Sequence, residues 1–412
     1  MALNELQQKA YDEVINGDSK FVVLLGQAGS GKSYTTSEII RNWNGSIAIT
    51  ATTNKAAEVL SQMAEQCATT THRQLGFRLT PIDYKQVLHQ VREPKVADLV
   101  IVEEISMLPK VLYDELTRLV EEGLIRKVLF LGDPLQLPAV SGGLDINSIE
   151  GKVIELKQPM RQDPSKKELM DYLKRLRKAI EDGDEEFDPT PDFEDIEVIT
   201  SHKEFCKLYN ECETNKKILA HRNSIVEKYN KHINGGDTFK KGDEVIIDKP
   251  LGNNATNGTI VIVNNVEEDN DKFILEVLTP MGEKYTIYHW KANYKLEEKL
   301  EEYKNEDNES AYWNLYEMSF RLKHIYSSTI YKSQGSTYDT VFIDATDLVS
   351  SYTAEETYYK KPISYDLFLR LLYVAISRMK SKCYLFLGDK REYKYLLKDN
   401  KWLQEQKCFK AI

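Results

Sequence analysis

Short apolar runs separated by amphipathic stretches dominate the first third of the chain. The runs are Phe21–Leu25, Ser46–Thr50, Ala97–Glu104 and Lys127–Asp133. Strands that are apolar on both faces are typical of a parallel sheet covered by helices on both sides. The pattern therefore predicts a doubly wound α/β domain over residues 1–77 and 96–155. Residues 78–95 break the pattern and are predicted to form a small insert.

A second set of apolar runs follows, and it predicts a second α/β domain over residues 156–239 and 320–412. Its strands are Ile196–Thr200, Lys217–His221, Thr340–Asp344 and Cys383–Asp389. Between them, residues 240–319 have a different sequence pattern, in which short runs of β-branched residues are separated by turn signals. This predicts an inserted antiparallel β module, followed by a charged helix at 291–309. The architecture is thus two α/β domains, each with an insert.

Composition excludes several protein classes. A chain of 412 residues with 41% hydrophobic residues is too long for one ordinary domain and too apolar for wholesale disorder. It has no apolar run long enough for a membrane span, and its polar amphipathic start does not resemble a signal peptide. Five scattered cysteines without a CxxC pair predict a reducing compartment, the cytoplasm, and argue against a zinc site.

The net charge of −10 argues weakly against nucleic acid, but the acidity is local. Residues 181–197 contain ten acidic residues and no basic one, so the rest of the chain is close to neutral. The run predicts a solvated surface loop, and a partner-docking or DNA-mimicking role remains the alternative. A basic groove elsewhere on the chain is therefore compatible with the composition.

A phosphate-binding loop follows the first strand and opens a helix. Its residues fit GxxxxGK[ST] completely and are Gly26, Gln27, Ala28, Gly29, Ser30, Gly31, Lys32 and Ser33. The glycines let backbone N–H groups surround a phosphate, and the helix N-terminus adds partial positive charge. Lys32 is expected to reach the β- and γ-phosphates of ATP, and Ser33 to bind Mg²⁺.

Two carboxylates end the apolar run at 97–104, where parallel sheets place their ligands. We expect Glu103 to hold Mg²⁺ through water and Glu104 to activate the attacking water as general base. The usual pair is Asp-Glu, so Glu103 is a departure that puts the metal geometry in question. The sequence alone leaves open whether hydrolysis is fully retained.

Four further motifs separate the many classes of P-loop protein. GDPLQLP at 132–138 contains Gln136, which could sense a γ-phosphate or the attacking water, and QPMRQ follows at 158–162. SQGST at 333–337 and YVAISR at 373–378 lie in the second α/β domain. With LNELQQKAY at 3–11, TATTNKAAEVL at 50–60 and TTTHRQLG at 69–76, this ordered set resembles the superfamily 1 DNA helicases over nearly the whole chain. The resemblance is to the RecD-like, 5′→3′ branch, with the Dda-like helicases of T-even phages as the nearest subgroup.

The resemblance implies two RecA-like domains with ATP bound between them. It implies that Gln7 contacts adenine, that Tyr34 and Gly335 belong to the ATP site, and that Arg161 and Arg378 are arginine fingers. The 78–95 insert would be a strand-separating pin, and the module at 240–319 would be an SH3-like domain that braces it. Direction of movement follows from the resemblance alone.

The predicted DNA-binding residues follow strands or belong to family motifs. They are Thr52, Thr53, Asn54, Lys55, His72, Tyr331, Lys332 and Ser336. Thr and Asn at a helix start suit phosphate, although the same residues also cap helices. Tyr331 could stack on a base or pack in the core, and the cluster at 288–290 (YHW) could contact DNA or form module core. These readings stay open at the sequence level.

The sequence thus predicts an ATP- and Mg²⁺-dependent helicase that acts on single-stranded and fork DNA, as a monomer and without a membrane. Replication or recombination proteins are its expected partners, and the bacterial cytoplasm, with a possible phage origin, its expected location. One alternative is a DNA-stimulated translocase or a RecD-like subunit without strand separation. Another is a nucleotide-binding module with little hydrolysis because of Glu103. A P-loop kinase would leave the second-half motifs unexplained.

Overall fold

The computed structural model describes eleven stretches of the chain. These are residues 3–27, 30–53, 56–57, 60–61, 66–82, 85–137, 148–156, 166–191, 193–252, 255–353 and 362–388, with only the backbone described for 79–82 and 85–87. The chain divides into two compact units. The first unit comprises residues 1–77, 90–222 and 329–412, and the second comprises 78–89 and 223–328.

The described strands and helices alternate in the first unit, and strands dominate the second. The strands are β1 Phe21–Gly26, β2 Ile47–Ala51, β3 Thr69–Thr70, β4 Phe77–Ile82, β5 Lys85–Gln90, β6 Leu99–Glu103, β7 Lys127–Gly132, β8 Lys152–Leu156, β9 Ile196–Ile199, β10 Lys216–Ala220, β11 Glu244–Ile246, β12 Ile260–Glu268, β13 Lys272–Leu278, β14 Lys284–Trp290, β15 Lys323–His324, β16 Ser327–Thr329, β17 Tyr338–Asp344 and β18 Met379–Phe386. The helices are α1 Glu5–Ile15, α2 Lys32–Asn42, α3 Thr71–Gln74, α4 Lys110–Glu121, α5 Lys167–Asp182, α6 His202–Glu211, α7 Asn223–Asn234, α8 Asn293–Asn305, α9 Glu309–Met318, α10 Ala345–Tyr352 and α11 Tyr365–Ile376.

The first sheet has the order β3-β2-β6-β7-β1-β8, and its registered pairs are parallel. Alternate residues of β1 enter two separate cores. Val23 and Leu25 pack on the face covered by α4, while Val22 and Leu24 pack with α1 and α2 on the other face. Burial on both faces explains why this strand is apolar throughout, as the sequence pattern predicts.

The second sheet has the order β16-β10-β17-β18-β9. Its β10–β17, β17–β18 and β18–β9 pairs are parallel. One core joins this sheet to α5 and α11, and it contains Tyr172, Leu176, Leu369 and Leu372. The two parallel sheets with their covering helices are the two RecA-like domains predicted from the sequence, and both lie in the first unit.

The second unit contains an antiparallel five-stranded sheet of order β14-β13-β12-β11-β15. Alternate residues of β13 point inward, so Phe273, Leu275 and Val277 lie in the core with Phe239. The two-stranded sheet β4-β5 belongs to the same compact unit, although about 130 residues of chain separate it from α7. The unit boundary at residue 89 falls before the predicted end of the insert at 95. The assignment of these parts as a pin and an SH3-like domain stays a prediction.

The charged helix expected at 291–309 is confirmed as α8, Asn293–Asn305, and a second helix, α9, follows at Glu309–Met318. Asp307 adopts the left-handed conformation, with φ 52°, and interrupts the helical path. The Asn308 side chain then accepts a hydrogen bond from the Ala311 N–H at 3.1 Å and caps α9. The left-handed Asp307 and the Asn308 cap therefore separate α9 from the predicted charged helix.

The acidic segment begins inside α5, which ends at Asp182 before the left-handed Gly183. Residues 181–186 are exposed, as expected for a solvated run of like charge. Farther along, the Tyr172 hydroxyl donates to the Pro189 carbonyl at 2.6 Å, which ties the segment to the second core. Within the described part of the chain, the helices are too short or too polar to cross a membrane.

Candidate functional site

The turn between β1 and α2 requires glycine for two different reasons. A Cβ on Gly26 would lie 2.5 Å from the Ser30 Oγ and 3.0 Å from the Leu156 carbonyl oxygen. Gly31, which precedes α2, has φ 91°, a conformation that favours glycine. The Lys32 Nζ donates to the carbonyls of Gly26 and of Gln27, the latter at 3.1 Å, so the lysine lies back across the loop. Ala28 and Gly29 lie outside the described residues.

Helix α1 places Gln7 against this loop. The Gln7 Oε1 accepts from the Asn4 N–H at 3.0 Å and the Asn4 Oδ1 accepts from the Gln7 N–H at 2.9 Å, which forms a capping box. The fully buried Gln7 side chain also donates to the Ser30 carbonyl at 3.5 Å. At the other end of α1, the Lys127 Nζ donates to three carbonyls, those of Glu13, Val14 and Gly17, at 2.7, 3.0 and 2.7 Å. The lysine anchors the helix, and no sequence motif pointed to it.

On the helix after the loop, the two further residues assigned to ATP or metal have different surroundings. Ser33 is exposed on the first turn of α2, and Tyr34 beside it is half-buried. Ser33 is therefore accessible to a ligand.

Glu103 and Glu104 lie at the carboxyl end of β6. Burial raises the pKa of Glu103, and the nearby Lys32 opposes that change. Glu104 has φ 59°, a strained left-handed conformation for a residue with a side chain. Burial, together with the charge of Glu103, raises the pKa of Glu104 to about 7, while Arg378 and the Thr53 hydroxyl act in the opposite direction. Glu104 is thus poised to exchange a proton near neutral pH.

Several buried polar atoms around these residues make no hydrogen bond in the described part of the chain. They are the Ser30 Oγ, one oxygen each of Glu103 and Glu104, and both polar atoms of the Gln334 amide. Buried polar atoms are nearly always paired, so such a group indicates a place for a polar ligand. Gln334 was not among the predicted site residues, although it stands inside the SQGST motif.

The loop that carries Gln334 belongs to the second RecA-like domain, yet it approaches Glu104 of the first. A Cβ built on Gly335 would lie 3.3 Å from the Glu104 Oε1, and Gly335 has φ 72°. A side chain at this position would therefore crowd the carboxylate. The two domains meet at the predicted catalytic base.

Arg378 lies near the same carboxylate and is buried. Its guanidinium donates to the Val374 carbonyl at 3.1 Å, the Ser336 carbonyl at 3.2 Å and the Ser377 Oγ at 2.9 Å. Burial lowers its pKa, and Tyr373 and Glu104 oppose that change. Arg161, the other predicted arginine finger, lies outside the described residues.

A buried ion pair that sequence reasoning missed lies beside the predicted sensor Gln136. The Arg177 Nη1 donates to both carboxylate oxygens of Asp133, at 2.8 and 2.9 Å, and to the Tyr373 hydroxyl at 3.0 Å. The Tyr373 hydroxyl is also 3.2 Å from an Asp133 oxygen. Gln136 is half-buried, and its backbone N–H donates to the Asp133 carbonyl at 3.1 Å. Arg177 belongs to no recognised motif, so only its proximity in the fold shows the connection.

The predicted DNA-binding residues of the first domain lie near the carboxyl ends of β2 and β3. The Thr53 Oγ1 accepts from the Ala56 N–H at 3.2 Å, so Thr53 caps the following turn. The Thr52 Oγ1 is buried without a partner among the described residues. His72 is half-buried on α3, and burial lowers its pKa. Asn54 and Lys55 lie outside the described residues.

The corresponding residues of the second domain differ in exposure. Tyr331 packs against the second core, with its ring centroid 6.5 Å from that of His221, and burial raises its pKa. Ser336 offers its carbonyl to Arg378, and Lys332 is exposed. This packing favours a core position for Tyr331 over stacking on a base. Among these three residues, Lys332 is the exposed one.

Comparison with known protein families identifies two domains in the chain. The profile of the AAA domain matches residues 2–200, and the profile of the UvrD-like helicase C-terminal domain matches residues 324–386. The first contains the phosphate-binding loop and both glutamates, and the second contains Gly335 and Arg378. The first match covers the first RecA-like domain and extends to α5 and β9 of the second, and the second match covers β16, β17 and β18 of the second domain.

Among curated proteins, the ATP-dependent RecD2 DNA helicase of Deinococcus radiodurans is 34% identical over 165 residues, which are 39% of this chain and 22% of that protein. An uncharacterized protein of Acanthamoeba polyphaga mimivirus is 28% identical over 154 residues, 31% of each chain. The chain spans less than a third of the length of either relative.

Among solved structures, Pif1 helicase at forked double-stranded DNA aligns with a TM-score of 0.55 and 19% identity, over 96% of this chain and 98% of that one. Bacteroides Pif1 in complex with ADP-AlF3 and single-stranded DNA gives a TM-score of 0.55 and 18% identity over the same shares. At these identities the likeness shows the fold.

Proposed function

We propose that the chain is an ATP-dependent DNA helicase of superfamily 1, in the group of RecD-like and Pif1-like proteins, a proposal supported by the two matched domains. One observation carries the proposal. The carboxylate of Glu104 in the first domain faces Gly335 and is close to Arg378 of the second domain. Hydrolysis in such a cleft depends on both domains, so ATP turnover can change their spacing.

The residues around the cleft suit ATP and Mg²⁺. The backbone of 26–33 and Lys32 would hold the phosphates, with Gln7 and Tyr34 near the base end. The donor set fits the metal, because Glu103 has a buried oxygen without a partner among the described residues and Ser33 is exposed. Ser33 and Glu103 would hold Mg²⁺, which neutralises charge on the β- and γ-phosphates.

The remaining residues have roles in hydrolysis. Glu104 accepts the proton of the attacking water, and Gln136 orients the water or the γ-phosphate. Arg161 and Arg378 stabilise the negative charge that develops on the transferred phosphoryl group. Arg378 now donates to neutral acceptors of its own domain, so it would have to exchange some of these bonds for phosphate oxygens.

We propose single-stranded and fork DNA as the substrates and 5′→3′ as the direction. Thr52, Thr53 and His72 of the first domain and Lys332 of the second would form two separate contacts to the DNA backbone. Alternate tightening of two such contacts during a cycle of ATP turnover moves the protein along a strand. The hairpin β4-β5 would act as the pin that separates the strands. The chain would act as a monomer and work with replication or recombination proteins.

The first test is steady-state ATP hydrolysis at low salt with Mg²⁺, with and without a single-stranded oligonucleotide. A many-fold stimulation is expected, because DNA contacts on both domains favour the closed cleft. Lys32→Ala should abolish turnover, whereas Arg378→Ala should lower kcat far more than it weakens ATP binding. Stimulated turnover that survives Lys32→Ala would refute the site, and an unstimulated wild-type chain would refute the coupling to DNA.

A second candidate function, nucleotide binding with little hydrolysis, is favoured by Glu103 in the metal position. Burial keeps the pKa of this carboxyl raised, which weakens it as a metal ligand. If this candidate is correct, Glu103→Asp should increase turnover strongly. Similar turnover in the two proteins favours the helicase. Translocation without unwinding of a forked duplex would instead support the translocase alternative.

A further inference from the structure

The network of Asp133, Arg177 and Tyr373 joins the two RecA-like domains inside the first unit. Asp133 follows β7 of the first sheet, Arg177 lies on α5, and Tyr373 lies on α11 beside the second sheet. Asp133 is 1% exposed and the Arg177 side chain is 10% exposed. All three pairwise contacts are within 3.2 Å. Charge-assisted bonds of this kind in a buried place are strong and directional.

Asp133 fixes the segment that carries Gln136. Its carboxylate accepts from the Leu135 N–H at 3.1 Å, and its carbonyl accepts from the Gln136 N–H at 3.1 Å. A second bond from α11 reaches the same segment, because the Arg370 Nη1 donates to the Pro134 carbonyl at 2.9 Å. The orientation of the Gln136 segment is therefore set from the second domain.

Tyr373 connects the same network to Arg378. The two residues lie five positions apart, and the Arg378 Nε donates to the Val374 carbonyl within the last turn of α11. A displacement of this part of α11 would move Arg378 with it. The network thus contacts the segment that carries Gln136 and the end of α11 that precedes Arg378. Both side chains act on the γ-phosphate in the proposed reaction.

Arg177 also neutralises the carboxylate of Asp133 next to a site for a highly charged nucleotide. Asp133 lies close enough to raise the pKa of Lys32 and Arg177 close enough to lower it, although burial is the largest influence on that lysine. Without Arg177, the Asp133 carboxylate would keep its bonds from Leu135 and Tyr373 but would lack a cationic partner in a buried place near the phosphates. Such a charge repels anions and is costly to bury.

We propose that Arg177 is a positioning residue for ATP hydrolysis, which acts through Asp133 and Tyr373 to hold the Gln136 segment and Arg378 in register. The inference rests on the proposed ATP hydrolysis and adds a residue outside the family motifs. Arg177 need not touch the nucleotide for this role. Its loss should slow the chemical step more than it weakens ATP binding.

The test is kcat and KM for ATP at saturating single-stranded DNA, in Arg177→Met, Arg177→Lys, Tyr373→Phe and Asp133→Asn. We expect Arg177→Met to lower kcat about tenfold or more with KM changed less than about threefold, the pattern of a lost transition-state contribution. Arg177→Lys keeps a charge for Asp133 and should recover part of kcat. Arg175→Met is the matched control, because Arg175 lies on the same helix with an exposed side chain over the Tyr172 ring.

Two further measurements separate positioning from a general loss of structure. The double variant Arg177→Met/Asp133→Asn should be no slower than the worse single variant, because the two residues act through one network. Thermal unfolding of each variant reports its folded fraction at the assay temperature. Tyr373→Phe removes one hydroxyl and keeps the ring, so it decides the question if Arg177→Met does not fold.

The outcomes distinguish this inference from the proposed function. If the wild-type chain hydrolyses ATP and the folded variants have the same kcat, this inference is overturned and the proposed function is not. Losses that multiply in the double variant, or a raised KM at constant kcat, would also overturn it. A folded wild-type chain without ATP turnover would overturn the proposed function and this inference with it.

Discussion

Glu104 combines a strained backbone with a carboxyl that ionises near neutral pH. Burial and the charge of Glu103 raise its pKa from an ordinary 4.5 to about 7. A general base must be ionised, so a raised pKa removes activity as the pH falls. We expect kcat/KM for ATP to decline below a pH of about 7, measured with saturating single-stranded DNA.

The control for this profile is Glu104→Gln, which cannot accept a proton. Turnover should be lost at every pH, while binding of a fluorescent ATP analogue is kept. A profile that stays flat down to a pH near 4.5 would show that Glu104 is not the base or that its environment changes when ATP binds.

A second prediction at the scale of single residues concerns Gln334. A buried amide without partners destabilises the folded state, and it is retained where a ligand uses it. Gln334→Leu should therefore stabilise the protein against urea by about 1–2 kcal/mol. Turnover of ATP should fall, because the amide is expected to bond within the loaded cleft.

The matched control is Gln74, a buried glutamine that donates to the Lys95 carbonyl. Gln74→Leu removes a made bond and should lower stability in the same urea titration. Equal turnover in Gln334→Leu and the wild-type chain would mean that the amide has no part in the reaction.

Sequence reasoning at the residue scale works where the chemistry is contiguous along the chain. Residues 26–33 and the two glutamates have a local pattern with a physical reason, and the fold brings them together. Arg177 and Asp133 are 44 residues apart and Tyr373 is 196 residues from Arg177, so no spacing rule could join them. Gln334 needed the structure for another reason, since its lack of partners is visible only once burial is known.

At the scale of secondary-structure elements, the prediction concerns the hairpin β4-β5. Gln90 and Arg92, at its base, donate to the carbonyls of Leu75 and Arg73, at 2.9 and 2.5 Å. Shortening should therefore spare these residues, and we propose to replace residues 80–87 with a two-residue glycine turn. Unwinding of a forked duplex should fall at least about tenfold if the hairpin splits the strands, while DNA-stimulated ATP turnover stays within about twofold.

The control is a variant that keeps the hairpin length but replaces the exposed Leu88 with serine. Intact unwinding by the shortened chain would remove the pin assignment. Loss of both activities would indicate that the hairpin supports the fold instead.

Element boundaries show what a pattern along the chain can and cannot reveal. The first strand, with residues buried on alternate sides by α4 and by α1 and α2, was predictable because both faces meet helices. The charged helix α8 was also predictable, but its exact end and the start of α9 were not, since a left-handed Asp307 and one cap bond at Asn308 decide them. Charge patterning favours a helix but does not determine where it ends.

At the scale of the whole molecule, the second unit carries a pH-sensitive pair of histidines. Burial lowers the pKa of His289 and of His324 below an ordinary 6.5, against the opposing charges of Asp237 and, for His324, Asp243. Each ring is protonated less readily in the folded state than in the unfolded state, so unfolding takes up protons once the pH falls towards and below 6.5. The stability of the second unit should then decrease as the pH falls, by at most about 1.4 kcal/mol per pH unit for each such ring.

Thermal unfolding between pH 7.5 and 5.5 measures this loss, with tryptophan fluorescence as the signal for Trp290 and Trp313 in this unit. His324→Gln should reduce the pH dependence, whereas His232→Gln, which changes an exposed side chain, should keep it. A stability that does not change below pH 6.5 would contradict the prediction.

The overall organisation was partly predictable from the sequence. Apolar runs that alternate with amphipathic stretches identified both RecA-like domains. Short runs of β-branched residues identified the antiparallel sheet. The family resemblance implied that the module braces the insert, but the local pattern could not show that residues 78–89 join 223–328 in one compact unit, because nothing local connects two segments so far apart. Long-range association depends on tertiary packing, which local patterns do not encode.

The insertion of residues 223–328 between neighbouring strands has a consequence for biosynthesis. Strand β10 pairs directly with β17, yet well over a hundred residues must leave the ribosome between them. At about 5–20 residues per second, the nascent β10 waits between about 6 and 24 s for its neighbour. During that time its apolar surface and unpaired backbone are open to chaperones and to other nascent chains. The yield of active protein should therefore depend on translation speed across this insertion more than on translation speed elsewhere.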